Sequence, residues 1–178
     1  MCAPADAAAI RRLLDRQEIQ DVLHRYSRAV DRADVALLRS CYHPDATEDH
    51  GGVYSGSAAA YVNGLEGLLP RAGVMNHLVT NVLVEFRDET AARVEAYILT
   101  FARIKKDGEK FDTLTLARTV DRFERRDGRW AIAARRMSFE WNHDMPMRET
   151  WGRGVIAPDP ARLVRGGKMP ADLVYQQD

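Results

Sequence analysis

Asp31 and His77 are residue types from which a base for carbon acids can be built. A carboxylate facing an imidazole can make the ring basic enough to take a proton from carbon. Asp31 closes the segment Tyr26-Ser-Arg-Ala-Val-Asp31, and His77 opens the run Met75-Asn-His77-Leu-Val. Nothing local brings the two together, so the case depends on the elements that carry them. Tyr26 lies little more than one helical turn before Asp31. It either packs in a core with its hydroxyl satisfied or offers a cavity a hydrogen-bond donor.

Residues 8–30 read as a helix, because Ile19, Val22, Leu23, Tyr26 and Val30 recur on one face at helical spacing. Asp31 lies off that face, so periodicity alone does not bury it. Asp34 suits the N-cap of a short helix over 35–42, which leaves Asp31 without a capping task. His43-Pro44-Asp45 stops that helix, and residues 45–56 read as a polar, glycine-containing loop with a short strand. Ser57 can cap a third helix over 58–69. The period then becomes strand-like over 76–87, 92–105, 111–126 and 129–141. Asp127-Gly128 is the strongest hairpin signal, since a type I′ turn needs positive φ at both central residues. Helices followed by a meander of four long strands predict an α+β fold, a curved antiparallel sheet with helices packed on one side.

A two-residue turn at Asp127-Gly128 sets Phe123 opposite Ile132, Asp121 opposite Ala134 and Thr119 opposite Arg136. Trp130, Ile132, Ala134 and Arg136 then share one face. If Trp130 and Ile132 point inward, so does Arg136, and an inward arginine needs an anion. Two readings stay open: a structural pair with Asp121, or a guanidinium that faces substrate.

His43, Asp45, Glu48, Asp49 and His50 are metal-ligating types. Their spacing matches no strong motif, and a polar loop is expected to contain them, so no metal is assigned. His50 is a candidate for the mouth of a cavity. Tyr54, Tyr97 and Trp141, with Phe101 and Phe139, read as apolar wall that a substrate would touch. Glycine-rich phosphate loops and a Gly-x-Ser-x-Gly elbow are both missing from the sequence, which argues against nucleotide and serine-hydrolase chemistry.

The chain has 178 residues, enough for one domain, and its 26 basic and 26 acidic residues balance. That balance argues against a dedicated nucleic-acid binder. Two cysteines, Cys2 and Cys41, make no disulfide framework, which fits a reduced, cytoplasmic protein. No run approaches the roughly 20 apolar residues that span a membrane, and no signal peptide is visible. The excess of arginine over lysine hints at a GC-rich bacterial genome. We divide the chain into a domain over 1–141, with about seven flexible residues at its start, and an irregular tail over 142–178. That tail is rich in Pro and Gly and is expected to wrap the domain or a neighbouring subunit.

Several segments together resemble the SnoaL-like branch of the nuclear transport factor 2-like superfamily. They are Ile19-Gln-Asp-Val-Leu-His-Arg-Tyr26, Val30-Asp-Arg-Ala-Asp34, Tyr42-His-Pro-Asp-Ala46, Asp49-His-Gly-Gly-Val-Tyr-Ser-Gly56, Asn76-His77, and the hairpin over 121–130. The resemblance covers residues 8–141 and implies a cystatin-like α+β barrel with a cone-shaped cavity between sheet and helices. It implies an Asp–His dyad formed by Asp31 and His77, with Arg136 as the cavity arginine. Two features of such enzymes lack a counterpart here: a second cavity histidine, and a further acid on the second long strand, where this chain has Leu99 and Thr100.

The function this implies is a cofactor-independent lyase of the dehydratase type, or an isomerase, acting on a small hydrophobic cyclic molecule. Asp31, His77 and Arg136 would be catalytic, and Tyr26, His50, Tyr54, Tyr97 and Trp141 would contact substrate. The resemblance also implies a homo-oligomer, and the long tail favours trimer slightly over dimer. The fold hosts several chemistries. The alternative is a non-catalytic small-ligand binding module or a structural subunit of a ring-hydroxylating dioxygenase.

Overall fold

The computed structural model describes residues 4–149, 159 and 161–176. The mobile tail expected around Cys2 and part of the C-terminal tail (150–158 and 160) lie outside the described residues. Helix α1 spans Pro4–Arg32, α2 Val35–Ser40 and α3 Ala58–Glu66. The strands are β1 (Tyr42–His50), β2 (Ser55–Ser57), β3 (Met75–Phe86), β4 (Ala91–Lys106), β5 (Glu109–Arg126) and β6 (Arg129–Pro146). They form one sheet in the order β2-β1-β6-β5-β4-β3. The fold is α+β as the sequence predicts, with a curved sheet and helices on one face.

The sheet is mixed and unclosed. β1 runs parallel to β6, whereas every other neighbouring pair is antiparallel. The stretch read as a polar loop supplies β1 and β2. Pro44 is tolerated within β1 because the register shifts between Tyr42 and Thr47, where ladder bonds are interrupted. α3 stops at Glu66 rather than running to 69. Gly67 forms its C-cap, and Pro70 follows in a short 3-10 turn, disfavouring a continued helix before it.

Two turns form as their chemistry demands. Asp127 and Gly128 take φ of 52° and 77°, and Asp107 and Gly108 take 53° and 86°. Both pairs close long hairpins with positive φ at the two central residues. Ile19, Val22, Leu23 and Ala29 of α1 pack on Val84, Val94, Ala96, Phe123, Trp130 and Ile132 of the sheet. Each fully buried large aliphatic side chain here contributes about 1.5–3 kcal/mol. Trp130 also anchors the helix by a hydrogen bond, its indole N–H donating to Asp15 Oδ1 at 3.0 Å.

Candidate active site

Asp31 occupies the last turn of α1. The helix ends because Ala33 takes left-handed backbone (φ 57°) and the Asp34 N–H donates back to the Ala29 carbonyl at 2.9 Å. Asp34 then caps α2 by accepting from the Leu37 N–H at 2.9 Å. His77 is the third residue of β3 and shares the inner face with Met75 and Val79. The Asp31 carboxylate holds His77 twice. The imidazole Nδ1–H donates to Oδ1 at 2.5 Å, and the His77 backbone N–H donates to Oδ2 at 3.0 Å. The backbone contact ties the helix end to the strand, so the ring contact is fixed by the fold. With Nδ1 committed to Asp31, Nε2 is the ring nitrogen left to meet a ligand.

Asp31 is only 8% exposed despite lying off the apolar face. The C-terminal segment covers it. Lys168 Nζ donates to the Asp31 carbonyl at 2.9 Å, and the Met169 N–H donates to the Arg32 carbonyl at 2.7 Å. Arg32 pairs with Asp172 at 3.1 Å, and the Tyr175 hydroxyl donates to Asp34 Oδ2 at 2.9 Å. A cavity of about 690 Å³ opens between this segment and the adjoining ends of β3 and β4, and Asp31 lines it.

A second polar centre lies deeper. Arg135 donates through Nε to Asp121 Oδ1 at 2.9 Å and through Nη2 to Oδ2 at 2.6 Å, with both side chains sealed from solvent. Its guanidinium carbon stands 4.2 Å from the centre of the Tyr26 ring, a cation–π contact. The Tyr42 ring meets Tyr26 edge-on at 6.0 Å, and its hydroxyl donates to Glu48 Oε2 at 2.6 Å. The His50 Nδ1–H donates to Glu48 Oε1 at 2.8 Å, and the His50 ring stacks on Tyr61 at 5.0 Å. The hydroxyls of Tyr26 and Tyr61 are 3.5 Å apart. Tyr54 packs against Tyr61 at 5.4 Å and donates to the Ser57 carbonyl.

Burial sets the protonation of this centre. It pushes the Tyr26, Tyr42 and Tyr61 phenols above their ordinary range, with only partial relief from the Arg135 charge. All three therefore remain hydroxyl donors near neutral pH. Burial would lower the Arg135 guanidinium, but the Asp121 charge outweighs it and holds Arg135 above its usual range.

Three sequence expectations are corrected. Arg136 does not point inward: it lies on the outer face among Arg87, Arg93 and Arg122. Phe123 does oppose Ile132, but Arg122 opposes Ala134, so Ala133 is an extra residue on β6. This β-bulge flips the phase and turns Arg135 inward instead. Tyr97 also lies on the outer face, because His77 pairs with Thr100 and Tyr97 is three residues away on the same strand. Trp141 joins it there: it pairs with Leu116, which pairs with Leu99 and through it with Leu78. A second bulge at Glu140 separates Trp141 from Phe139, which stays on the inner face though half exposed, 6.2 Å from His50.

The comparisons can now be set beside this geometry. Residues 11–136 match the model of the SnoaL-like domain. The chain belongs to the SnoaL-like family. A scytalone dehydratase-like protein of Novosphingobium aromaticivorans superposes with a TM-score of 0.69 at 21% identity, covering 79% of this chain and 93% of that one. Hexachlorocyclohexane dehydrochlorinase LinA-type3 of Novosphingobium barchaimii gives 0.69 at 21% identity, covering 85% and 99%. A protein with a cystatin-like fold from Nostoc punctiforme gives 0.59 at 18% identity, covering 71% and 92%. At these identities the likeness is one of fold. No curated protein matches the sequence.

Within this SnoaL-like fold the sequence reading missed Arg135, Glu48, Tyr42, Tyr61 and Lys168. Glu48 carried a usable signal: Tyr42, Glu48 and His50 stand at even spacing, as inward residues of one strand would. Among the described residues, no three His, Cys, Asp or Glu side chains gather as a metal-ligand set. His43 is turned elsewhere, its Nε2–H donating to the Glu124 carbonyl at 2.9 Å. No helix among the described residues is long and apolar enough to cross a membrane.

Proposed function

We propose that this SnoaL-like protein is a cofactor-independent lyase or isomerase for a small hydrophobic cyclic molecule. The observation that carries the reading is the double grip of Asp31 on His77. His77 Nε2 takes a proton from carbon, while Asp31 fixes the ring tautomer and stabilises the imidazolium that forms. In an elimination the C–H electron pair becomes the new double bond, and the leaving group departs from the neighbouring carbon. In an isomerisation the proton returns at another carbon. The Tyr26 and Tyr61 hydroxyls are suited to hydrogen-bond a developing oxyanion, and His50 and Tyr54 to contact the substrate beside them. Arg135 serves by holding Tyr26 and Tyr42 in place, since two of its donors bind the Asp121 carboxylate and the pair is sealed from solvent.

We place the protein in the cytoplasm as a homo-oligomer, trimer ahead of dimer. The apolar row Leu78, Leu99, Leu116 and Trp141 on the outer sheet face supports a subunit contact. The mechanism is tested with a panel of hydroxylated and halogenated cyclic compounds in deuterated water. Mass spectrometry detects loss of water or hydrogen halide, and NMR detects deuterium entering carbon. Turnover found in the wild type should fall about 10²–10⁴-fold in His77→Gln with folding intact. Full turnover in that variant would leave the binding-module reading in its place.

A further inference from the structure

Lys168 and His77 both attach to Asp31, by different groups. The ammonium binds its backbone carbonyl at 2.9 Å, and the imidazole binds its carboxylate at 2.5 Å. Lys168 comes from the far end of the chain. It is held there by the Met169 N–H on the Arg32 carbonyl and by Asp172, which pairs with Arg32 and accepts from the Gly167 N–H at 2.8 Å. Lys168 lines the cavity of about 690 Å³ that Asp31 also lines. Much of the remaining wall is apolar, including Val74, Met75, Phe101, Met145 and Leu163.

The other cations facing this cavity differ from Lys168. Arg103 is engaged by Asp112 and Glu149, Arg165 by Glu149, and Arg32 by Asp172. Among the described residues Lys168 makes one hydrogen bond, to a neutral carbonyl, and no carboxylate forms a direct ion pair with it. An ammonium has three donors, so two remain. Burial lowers its pKa, which the neighbouring Asp31 charge partly offsets. A half-buried cation with free donors at the end of an apolar cavity gains from an anionic partner.

We propose that Lys168 is an anion anchor, and that the ligand of this cavity is an apolar small molecule bearing one anionic oxygen group, a carboxylate in the first place. The anchor deepens the preceding reading and rests on it: the cavity that Lys168 lines is also lined by Asp31, whose carboxylate holds His77. Anion binding itself does not depend on catalysis by His77.

The test uses two fluorescent probes on the full chain. One is 1-anilinonaphthalene-8-sulfonate, which carries a single anionic group. The other is N-phenyl-1-naphthylamine, its neutral analogue. Lys168→Met should weaken the anionic probe about tenfold or more and leave the neutral probe within about twofold. Lys168→Arg should retain the anionic probe. The neutral probe reports that the cavity survives, which a purely structural role as a cap on α1 would not guarantee. An equal loss of both probes, no change in either, or a wild type that binds neither would overturn the proposal. A selective probe loss in Lys168→Met beside full turnover in His77→Gln would sink the mechanism and keep the anchor.

Discussion

Two polar centres lie on the concave side of this sheet, and they are built on opposite principles. In the Asp121–Arg135 centre both carboxylate oxygens accept from one guanidinium, whose side chain is 1% exposed. Nearby Glu48 spends one oxygen on Tyr42 and the other on His50. In the Asp31–His77 centre the carboxylate is equally satisfied, but the imidazole is 20% exposed and, among the described residues, keeps Nε2 uncommitted. A closed network holds shape, because every buried polar group has its partner. A network with one donor or acceptor left over can do chemistry. On the proposed function, the first centre is scaffold and the second is the reacting centre.

The sharpest way to break this contrast is to remove one partner from each. Arg135→Met leaves Asp121 buried without its cation. The expected loss is about 3–5 kcal/mol, read from urea denaturation. His77→Gln removes a part-exposed ring and should cost within about 1 kcal/mol. Comparable losses in the two variants would end the division into scaffold and reacting centre.

Asp31 and His77 were legible because each stands at an end of an element, where a change of period announces itself. Arg135 was not, because a single extra residue at Ala133 reverses the face of the residues after it on β6, as far as the second bulge at Glu140. Strict alternation chose Arg136, one position away. Bulges leave little trace in composition, since any small residue can occupy one. β1 was hidden for a different reason. Its inward residues include Glu48 and His50, and its parallel partner β6 lies far along the chain, so neither hydrophobic pattern nor a local turn signals it. The C-terminal segment was hidden too. It holds α1 largely through backbone carbonyls and single charged contacts, which have no period.

Whether the buried centre is truly closed can be asked through Cys41, which is 1% exposed and whose thiol donates to the Leu37 carbonyl at 3.3 Å. Burial pushes its pKa up to about 11, against the pull of the Arg135 charge. The reactive form is the thiolate, so a higher pKa means less of it at pH 8. Iodoacetamide should label Cys41 about 100-fold more slowly than a free cysteine at that pH, with mass spectrometry separating it from Cys2. Labelling should accelerate as pH rises toward 11. A wild-type rate matching free cysteine would mean that the centre opens readily.

The smallest expected effect is also the most direct test of the bulge. Arg136→Ala removes a side chain from the outer face, where it neighbours other arginines rather than a buried carboxylate. Its stability should change by no more than about 0.5 kcal/mol. Neighbouring arginines thus predict opposite outcomes, and the sign of the difference reports the phase of β6. Were Arg136→Ala the costly substitution and Arg135→Met the mild one, the strand would run without its extra residue at Ala133. Asp121 would then pair with Arg136, and Tyr26 would lose the cation that stands over its ring. Deleting Ala133 removes the extra residue itself: Ala134 then follows Ile132 directly, and Arg135 keeps its place opposite Asp121. In that chain Arg135→Met should therefore remain the costly substitution and Arg136→Ala the mild one.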